Sequence, residues 1–533
     1  MAKPSFPRPT PGLVAAFLLP LLWGLAVGYW TPRGPGTGFE AVASVAVSLA
    51  VGLVAGWLSR SRWAMLAGPA LFAVAVELVR IRLRGPTVDA PHLSGFGFAA
   101  LLLGRGLHGL FTLLPLLVGA AYGAGLARRA TRPVAGEPPA ASGPAATGET
   151  AAADQSAAAG ESTIADQSAV AGEPAAARQP TTAPRRPGRV WLRRGATGLL
   201  AAVVLLVAVV AALPARTDRI NGGIAELSTV DTGARSLGLM LRGADPAAPV
   251  LLFVPGGPGS SEIGAMRRHL AALEQRFVVA TLDRRGAAKS WDAFAPSSSF
   301  TLDSEVADLV AVVERLRTRF RQEKIYLVAH SGGSLVGVTA VQRRPELFYA
   351  YVGVGQAVDL READRRQYAD TVAWARRTGR DGLADQLTEL GPPPYDRMYA
   401  YEALLANEAG AFDYDRPGVG TSGIVDVPEY TLLEQVHALV GPLDGFDALY
   451  PKVQDVDLRR QVRQLQVPVW LVDGAHEVPG RLALLKEWYD QLQAPRKERV
   501  VLDGAGHRSL FERPGPFTDL LARVVTETSG VGV

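Results

Sequence analysis

Five long apolar runs within residues 1–212 limit most strongly what this chain can fold into. Each run is close to the roughly 20 residues that an α-helix needs to cross about 30 Å of hydrocarbon. The runs lack the polar face that a helix on the surface of a soluble protein needs. They predict a four-helix transmembrane region over residues 1–130 and a fifth transmembrane helix over residues 191–214, with buried core helices as the alternative. The runs are Leu13–Trp30, Phe39–Leu58, Trp63–Ile81, Gly109–Leu126 and Gly195–Ala212.

Basic residues beside these runs predict how the chain lies in a bilayer, because positively charged flanks remain in the cytoplasm. Most of them agree with a cytoplasmic N-terminus and a cytoplasmic start of the fifth run. These are Lys3, Arg8, Arg60, Arg62, Arg128, Arg129, Arg132, Arg185, Arg186, Arg189, Arg193 and Arg194. Arg80, Arg82 and Arg84 fall on the predicted outer side and disagree. We expect a multi-pass protein of the cell membrane whose residues after Leu213 lie outside the cytoplasm.

Residues 131–190 have a composition that does not support a folded core. The stretch contains no aromatic residue and carries a near repeat, ADQSAAAGE at 153–161 and ADQSAVAGE at 165–173. Because it is dense in Ala, Pro, Gly, Glu and Thr, it buries too little apolar surface to offset the entropy lost on ordering. We expect a disordered linker, with a helical Ala-rich spacer as the alternative.

Short apolar runs alternate with helical patterns over residues 215–533. Near-continuous apolar strands separated by helices predict an α/β fold, with a mostly parallel sheet and helices on both faces. The predicted strands are Val250–Val254, Phe277–Leu282, Ile325–Ala329, Ala350–Gly353, Val467–Val472 and Arg499–Leu502. A charged, helix-rich segment over about residues 358–465 interrupts this alternation and is too long for a loop. We expect this segment to form a helical cap on the α/β domain.

The composition excludes several classes of function. The chain has no cysteine, which excludes disulfides, thiolate metal sites and a cysteine nucleophile. Its formal net charge of +4 is small for this length, so it does not indicate nucleic-acid binding. The sequence contains neither an HExxH motif nor a cluster of histidines, either of which would indicate a metal site. The sequence therefore predicts no metal, no other cofactor and no nucleic-acid partner.

A serine follows one predicted strand in a tight turn of small residues. Strand Ile325–Ala329 leads into His330-Ser331-Gly332-Gly333, and a helical pattern follows. A strand, a turn with a central serine and a helix are typical of a nucleophile elbow, whose usual pattern is G-x-S-x-G. Ala329 stands where that pattern has its first glycine. The turn predicts that the Ser331 hydroxyl rises above the sheet, and an ordinary strand–helix turn is the alternative.

A histidine and two carboxylates further along the chain complete a candidate triad. His507 follows the last predicted strand, where we expect the general base that takes a proton from Ser331. Glu477 and Asp473 both follow the preceding strand, and either carboxylate could orient the imidazole. Glu477 is favoured because it lies three residues after Gly474, the usual offset for this acid. The chain order of serine, acid and histidine is that of the α/β-hydrolases.

A glycine-rich loop, Pro255-Gly256-Gly257-Pro258-Gly259, follows strand Val250–Val254. Glycines let backbone N–H groups approach an oxyanion, and the loss of one such donor costs about 3–4 kcal/mol of transition-state stabilisation. We assign one donor to Gly257 and the other to Gly332, next to the serine. A phosphate-binding loop is the alternative, but neither a Walker lysine nor G-x-G-x-x-G follows.

Together these motifs resemble the proline iminopeptidase branch of the α/β-hydrolase superfamily, over about residues 220–533. That branch carries H-G-G-P-G where this chain has PGGPG, and D-Q-R-G-x-G-x-S where it has DRRGAAKS at 283–290. The resemblance implies that a carboxylate of the cap holds the free amine of a substrate. Glu362 is the candidate for that contact, and a surface salt bridge is the alternative. The departures from the branch are Pro255 for histidine and Ala288 and Ala329 for glycine.

The sequence therefore predicts a membrane-anchored serine hydrolase with an extracytoplasmic catalytic domain. Ser331 is expected to attack a carbonyl, with His507 as base, Glu477 as acid, and Gly257 and Gly332 as oxyanion donors. The resemblance implies an aminopeptidase that releases an N-terminal residue, such as proline, from short peptides. The alternatives are an esterase or lipase acting on acyl esters, and a catalytically inactive sensor with a hydrolase fold. The expected partners are a small peptide or ester substrate and the lipid bilayer.

Overall fold

The computed structural model describes residues 10–61, 63–81, 92–130, 187–233, 235–293, 295–412, 423 and 426–529. An N-terminal helical block precedes a C-terminal α/β domain. The predicted linker over residues 131–190 lies outside the described residues as far as residue 186.

Six helices form the N-terminal helical block within the residues that the structure describes. They are α1 (Pro11–Trp30), α2 (Gly38–Ser59), α3 (Ala64–Arg80), α4 (Gly95–Leu101), α5 (Leu107–Ala130) and α6 (Pro187–Ala212). A π-helical segment, Leu102–Gly106, joins α4 to α5, so the predicted fourth span belongs to a continuous helix of 36 residues. Among the described residues, four helices are long and apolar enough to cross a membrane: α1, α2, the joined α4–α5 helix, and α6 from Gly195. The predicted third span forms α3, which has only 17 residues.

Helices α2 and α5 pack through glycines that are spaced four residues apart. A Cβ atom added at any of these glycines would collide with the backbone of the facing helix. They are Gly52 and Gly56 in α2, and Gly119 and Gly123 in α5. Small residues at this spacing let two apolar helices approach closely enough for backbone contact. The pair of GxxxG motifs therefore holds the centre of the N-terminal helical block together.

A leucine at Gly119 tests this packing. We expect Gly119→Leu to destabilise the block by roughly 1–3 kcal/mol or more, because overpacking forces the two helices apart. Gly125→Leu, on the same helix, is the matched control, since a Cβ added at Gly125 would meet nothing within 4 Å. The measurement is thermal unfolding of the full chain in detergent, followed by helical circular dichroism. Equal midpoints for the two variants would contradict this account of the interface.

The α/β domain is built on an eight-stranded sheet. Its strands are β1 (Ile224–Asp231), β2 (Ser236–Gly243), β3 (Val250–Val254), β4 (Val278–Leu282), β5 (Ile325–His330), β6 (Phe348–Val354), β7 (Val469–Gly474) and β8 (Lys497–Leu502). Their order is β1-β2-β4-β3-β5-β6-β7-β8. Strands β3 to β8 pair in parallel, whereas β1 and β2 add an antiparallel edge that the sequence analysis did not predict. Burial of β3, β4, β5 and β7 on both faces explains their near-continuous apolar sequences.

Helices cover both faces of this sheet, and others lie in the segment between β6 and β7. They are α7 (Ile263–His269), α8 (Leu302–Phe320), α9 (Gly333–Arg343), α10 (Leu360–Arg377), α11 (Asp381–Leu390), α12 (Met398–Ala411), α13 (Leu432–Val453), α14 (Leu458–Gln461), α15 (Pro479–Gln491), α16 (Ser509–Glu512) and α17 (Pro514–Ser529). Helices α8, α9 and α15 pack in the hydrophobic core of one face, and α7, α16 and α17 in that of the other. The segment between β6 and β7 contains α10 to α14 and forms the predicted helical cap.

The cap contacts the N-terminal helical block directly. The Glu402 carboxylate in α12 accepts hydrogen bonds from the backbone N–H groups of Gly95 (2.9 Å) and Phe96 (3.1 Å) at the start of α4. The ring of Tyr399, also in α12, stacks on His92 at a centroid distance of 4.2 Å. Leu433, at the start of α13, is fully buried in a cluster with side chains of α2, α5 and α6. Two cap helices are therefore anchored on the block.

Candidate active site

Ser331 lies in a strained turn between strand β5 and helix α9. Its φ of 49° is in the left-handed region, which residues other than glycine rarely adopt. Small residues let the two elements approach: a Cβ at Gly337 in α9 would stand 2.8 Å from the Cβ of Ala329 in β5. Ala329 is therefore accommodated in the place of the usual glycine because Gly337 lies opposite it.

A continuous hydrogen-bonded chain joins the three predicted triad residues. His507 Nε2 lies 2.8 Å from Ser331 Oγ, and His507 Nδ1 lies 2.5 Å from Glu477 Oε2. Ser331 follows β5, Glu477 follows β7 and His507 follows β8. Because these strands are parallel, their carboxyl ends meet at one edge of the sheet. Three loops that are far apart in sequence thus deliver an alcohol, an imidazole and a carboxylate to one place.

The Glu477 carboxylate is only 4% exposed and is nevertheless held in its charged form. Its Oε1 accepts hydrogen bonds from the Val478 backbone N–H at 2.8 Å and from Arg481 Nη1 at 3.3 Å. Burial raises its pKa, but the charge and hydrogen bond of His507 and the charge of Arg481 outweigh burial and lower the pKa to about 2. For His507, burial lowers the pKa, but Glu477 outweighs burial and raises it above the ordinary value. The imidazole is thus prepared to accept a proton.

Asp473, the alternative acid, has a different partner. Its carboxylate accepts a hydrogen bond from Arg499 Nε at 3.2 Å. Burial, with the nearby charge of Glu477, raises the pKa of Asp473 to about 6. Of the two carboxylates that the sequence left open, Glu477 is therefore the one hydrogen-bonded to His507.

The two predicted oxyanion donors lie side by side next to Ser331. A Cβ added at Gly332 would stand 3.4 Å from the backbone nitrogen of Gly257, and both glycines line the same cavity as Ser331. Gly257 has a φ of 36°, which favours glycine. Arg284, which the sequence analysis did not single out, donates to the carbonyl oxygens of Gly256 (3.0 Å) and Gly257 (2.7 Å). Its buried guanidinium also pairs with Glu305, so the glycine loop is held from below by a fixed cation.

A cavity of about 180 Å³ opens beside Ser331 beneath the cap. Most of its lining is apolar and comes from the cap and from α9. The apolar lining residues include Leu302, Leu335, Val336, Val358, Leu360, Ala363, Leu404, Leu405, Phe446, Leu449, Val453 and Leu484. Its polar side chains include Asp364, Gln367, Tyr401, Tyr450 and Arg481. Tyr450 Oη donates to the Asp364 carboxylate at 2.9 Å, and burial raises the pKa of Asp364 to about 6.

The structure places Glu362 outside this cavity. Its carboxylate accepts hydrogen bonds from Arg365 Nε at 2.7 Å and Arg366 Nε at 2.8 Å, both on the same helix. It is not among the residues that line the cavity, whereas its neighbours Ala363 and Asp364 are. Glu362 thus makes the helical salt bridge that the sequence analysis kept as the alternative, and it is not brought together with the triad.

A second small cavity, of about 150 Å³, lies on the other side of His507. It is lined by Glu408 from α12, by Glu477 and by His507. The Glu408 carboxylate accepts a hydrogen bond from Gln367 Nε2 at 2.8 Å and pairs with Arg481 at 3.0 Å. Sequence reasoning missed Asp364 and Glu408 because nothing in the sequence shows which faces of the cap helices meet the sheet. No group of three or more candidate metal ligands occurs within the described ranges.

The comparisons with known proteins concern the family of the C-terminal domain. Residues 249–514 match the family described as the alpha/beta hydrolase fold. The probable aminopeptidase YbaC of Bacillus subtilis (strain 168) is 26% identical over 306 residues, which are 56% of this chain and 96% of that protein. Through its C-terminal domain the chain belongs to the α/β-hydrolase family, resembling the proline iminopeptidase branch, and its activity is that of a hydrolase.

Solved structures similar to this chain include two from that branch. The proline iminopeptidase-related protein of Thermus thermophilus is 21% identical over 57% of this chain and 98% of its own, with a TM-score of 0.42. The proline iminopeptidase of Mycobacterium smegmatis is 18% identical over 58% of this chain and 100% of its own, with a TM-score of 0.38. The family assignment itself rests on the sequence matches.

The titration of His507 tests the assignment of the acid. We expect its imidazole to titrate above 6.5, the ordinary pKa of histidine, because Glu477 stabilises the charged form. Glu477→Gln removes that charge and should lower the pKa of His507 by about one unit or more. NMR of labelled histidine measures both values, and His507→Gln identifies the signal among the seven histidines of the chain.

Asp473→Asn is the matched control for this titration, because the Asp473 carboxylate is bonded to Arg499 instead. It should move the pKa of His507 far less than Glu477→Gln does. A larger shift in Asp473→Asn would contradict the assignment of Glu477 and favour Asp473.

Proposed function

We propose that this chain is a membrane-anchored serine hydrolase that releases the N-terminal residue of short peptides. The observation that carries the proposal is the hydrogen-bonded chain from Ser331 through His507 to Glu477, with two backbone donors beside the serine. A serine with a base and a buried acid in this order is suited to nucleophilic attack on a carbonyl.

In the proposed reaction Ser331 Oγ attacks the carbonyl carbon while His507 Nε2 takes the hydroxyl proton. The Gly257 and Gly332 N–H groups stabilise the negative charge that develops on the carbonyl oxygen. His507 then donates its proton to the leaving amine, which departs and leaves an acyl group on Ser331. Water, activated by the same imidazole, releases the acyl group and restores the serine. Glu477 keeps the Nδ1 proton in place and stabilises the imidazolium at both stages.

The charges around the serine favour a substrate with a free amine. Three carboxylates lie near one guanidinium, that of Arg481: Glu408 and Glu477 pair with it, and Asp364 lines the same cavity and is influenced by its charge. At neutral pH this cluster has an excess of negative charge, because the pKa of Asp364 is about 6 and Glu408 and Glu477 have lowered pKa values. A protonated α-amine would reduce that excess, so we assign its binding to Asp364 in place of Glu362. The aminopeptidase name of the B. subtilis relative supports the same substrate class.

The apolar lining of the main cavity favours a second candidate, an esterase acting on acyl esters. The same lining would accept proline or another apolar side chain, so it does not separate the two. The Asp364 carboxylate on the cavity wall separates the two candidates, because a neutral acyl ester offers it no cation. An inactive sensor with this fold is a third outcome, against which the complete triad geometry argues.

A substrate panel tests the proposed function on the full chain in detergent. We expect turnover of aminoacyl amides of Pro, Ala and Leu, little turnover of their N-blocked forms, and a loss of roughly 10³-fold or more in Ser331→Ala. Asp364→Asn should lower kcat/KM for free-amine amides by about 10- to 100-fold, as expected for a hydrogen bond to a charged group. Asp455→Asn is the matched control, an exposed cap carboxylate that pairs with Arg361.

The other outcomes of the panel are equally informative. Turnover of esters alone, unaffected by Asp364→Asn, would replace the peptidase by an esterase. A wild-type chain that turns over nothing in a serine-dependent way would favour the sensor.

We infer further that the N-terminal helical block crosses a bacterial-type plasma membrane, with the α/β domain on the outer face. The domain contacts one end of the block: Arg33 after α1 donates to the domain, Glu402 caps the start of α4, and Leu433 packs beside the end of α6. The opposite end carries Arg60 after α2 and Arg128 near the end of α5. Positively charged ends remain in the cytoplasm, which supports an extracytoplasmic domain.

The absence of cysteine makes this topology simple to test. We expect a membrane-impermeant maleimide to label Gly382→Cys in intact cells, because a side chain there meets nothing within 4 Å. Ala130→Cys, exposed at the other end of α5, should react only after the cells are permeabilised. The reverse pattern would place the α/β domain in the cytoplasm.

A further inference from the structure

Arg481 contacts Glu477 on one side and the cap on the other, and the proposed triad mechanism assigns no task to these contacts. It lies near the start of α15, four residues after Glu477. Its Nη1 donates to Glu477 Oε1 at 3.3 Å and to Glu408 Oε1 at 3.2 Å. Its Nη2 donates to Glu408 Oε2 at 3.0 Å and to Gln367 Oε1 at 3.0 Å. One guanidinium therefore joins the triad acid to two helices of the cap, α10 and α12.

The geometry of these contacts assigns separate tasks to the two oxygens of Glu477. Oε2 faces His507 Nδ1, and Oε1 is held by the Val478 N–H and by Arg481. A carboxylate that is fixed at one oxygen presents the other in a single direction. The planar guanidinium is suited to this because it offers several donors in a rigid fork, which a lysine ammonium does not.

We propose that Arg481 is a positioning residue that orients Glu477 and makes the triad depend on the seating of the cap. This inference rests on the proposed function, because it assumes that the triad works as described. Gln367 and Glu408 hold the far side of the guanidinium, so a displaced cap would remove a support from the acid. The cap then contributes to the chemistry of Ser331 as well as to substrate binding.

Arg481 also acts on His507 through its charge, which gives the proposal a signature beyond lost packing. Several titratable groups face or adjoin the imidazole, and His476 and Glu512 also line the second small cavity beside it. The groups that face or adjoin it are Glu477 and Asp473 from the β7 end, Arg481 from α15, Glu408 from α12, His330 beside the serine, and the adjacent Arg508. Glu477 and Glu408 raise the pKa of His507, and Arg481 lowers it. His507 must be neutral to act as a base, so activity falls at low pH where the imidazole becomes protonated. Loss of the Arg481 cation should move this acid limb of the pH–rate profile to higher pH.

The test compares Arg481→Gln with Arg481→Lys in the full chain in detergent. The rate of covalent labelling of Ser331 by a fluorophosphonate is followed against pH, together with turnover of the substrate panel. We expect Arg481→Gln to slow labelling by about 10- to 100-fold, because the triad is misaligned. Its acid limb should rise by roughly one pH unit. Arg481→Lys should keep the wild-type limb, because it keeps the charge, while recovering only part of the rate.

Arg366→Gln is the matched control. Arg366 lies on the cap helix α10 and pairs with Glu362 of α10 and Glu487 of α15, away from the triad. If Arg481→Gln fails to fold, as judged by circular dichroism, Glu408→Gln replaces it. That variant frees Arg481 from α12 and removes a negative charge near His507, so its acid limb should move to lower pH while the labelling rate still falls. The proposal would be overturned if Arg481→Gln had the same acid limb and the same labelling rate as Arg366→Gln. It would also be overturned if Glu408→Gln left the acid limb where it is in the wild-type chain.

The labelling readout separates this inference from the function on which it rests. If no peptide or ester is turned over but labelling shows the expected shifts, the substrate assignment fails and the role of Arg481 stands. If the wild-type chain is not labelled at Ser331, both fail.

Discussion

The candidate active site depends on keeping one carboxylate, that of Glu477, charged where water hardly reaches it. The effective cost of burying an ion is several kcal/mol, so a buried charge persists only where partners compensate it. Glu477 has three: the Val478 N–H, the imidazole of His507 and the guanidinium of Arg481. These partners come from its own loop, from the loop after β8 and from α15. Since Arg481 is in turn neutralised by Glu408, a cap helix belongs to the same electrostatic unit as the triad.

Helix α12 extends this unit toward the N-terminal helical block. Glu408 meets Arg481 beside the triad, and Glu402, on the same helix, accepts the first backbone N–H groups of α4. The two carboxylates are six residues apart, or about 9 Å along the helix axis. One short helix is therefore held by the block at one point and, at another, by Arg481, the partner of Glu477. A cap fastened in this way cannot shift far without disturbing either the block or Arg481.

The sequence predicted the parts of the site that depend on local rules. Ser331, Glu477 and His507 each follow a strand that is apolar because it is buried in a parallel sheet, and parallel strands bring their carboxyl ends together. The glycine loop after β3 could be predicted for the same reason. The antiparallel strands β1 and β2 were not predicted because neither sequence is a continuous apolar run like those of the parallel strands, although β2 is buried along nearly its whole length. The GxxxG motifs of α2 and α5 are present in the sequence, but only the packed helices show that the two motifs face each other.

The cap shows where such reasoning fails. On a helix, one residue turns a side chain by about 100°, so a carboxylate in a charged helix can face solvent, a neighbour or the cavity. Glu362 and Asp364 are two residues apart on α10, yet Glu362 binds two arginines outside the cavity and Asp364 faces inward to Tyr450. Only the packing of α10 against α12 and α13 decides between them. Gln367, Glu408 and Arg481 meet for the same reason, although 114 residues separate the first from the last. The proposed substrate contacts of this chain therefore depend on tertiary contacts between helices, whereas the proposed triad lies in loops that follow strands.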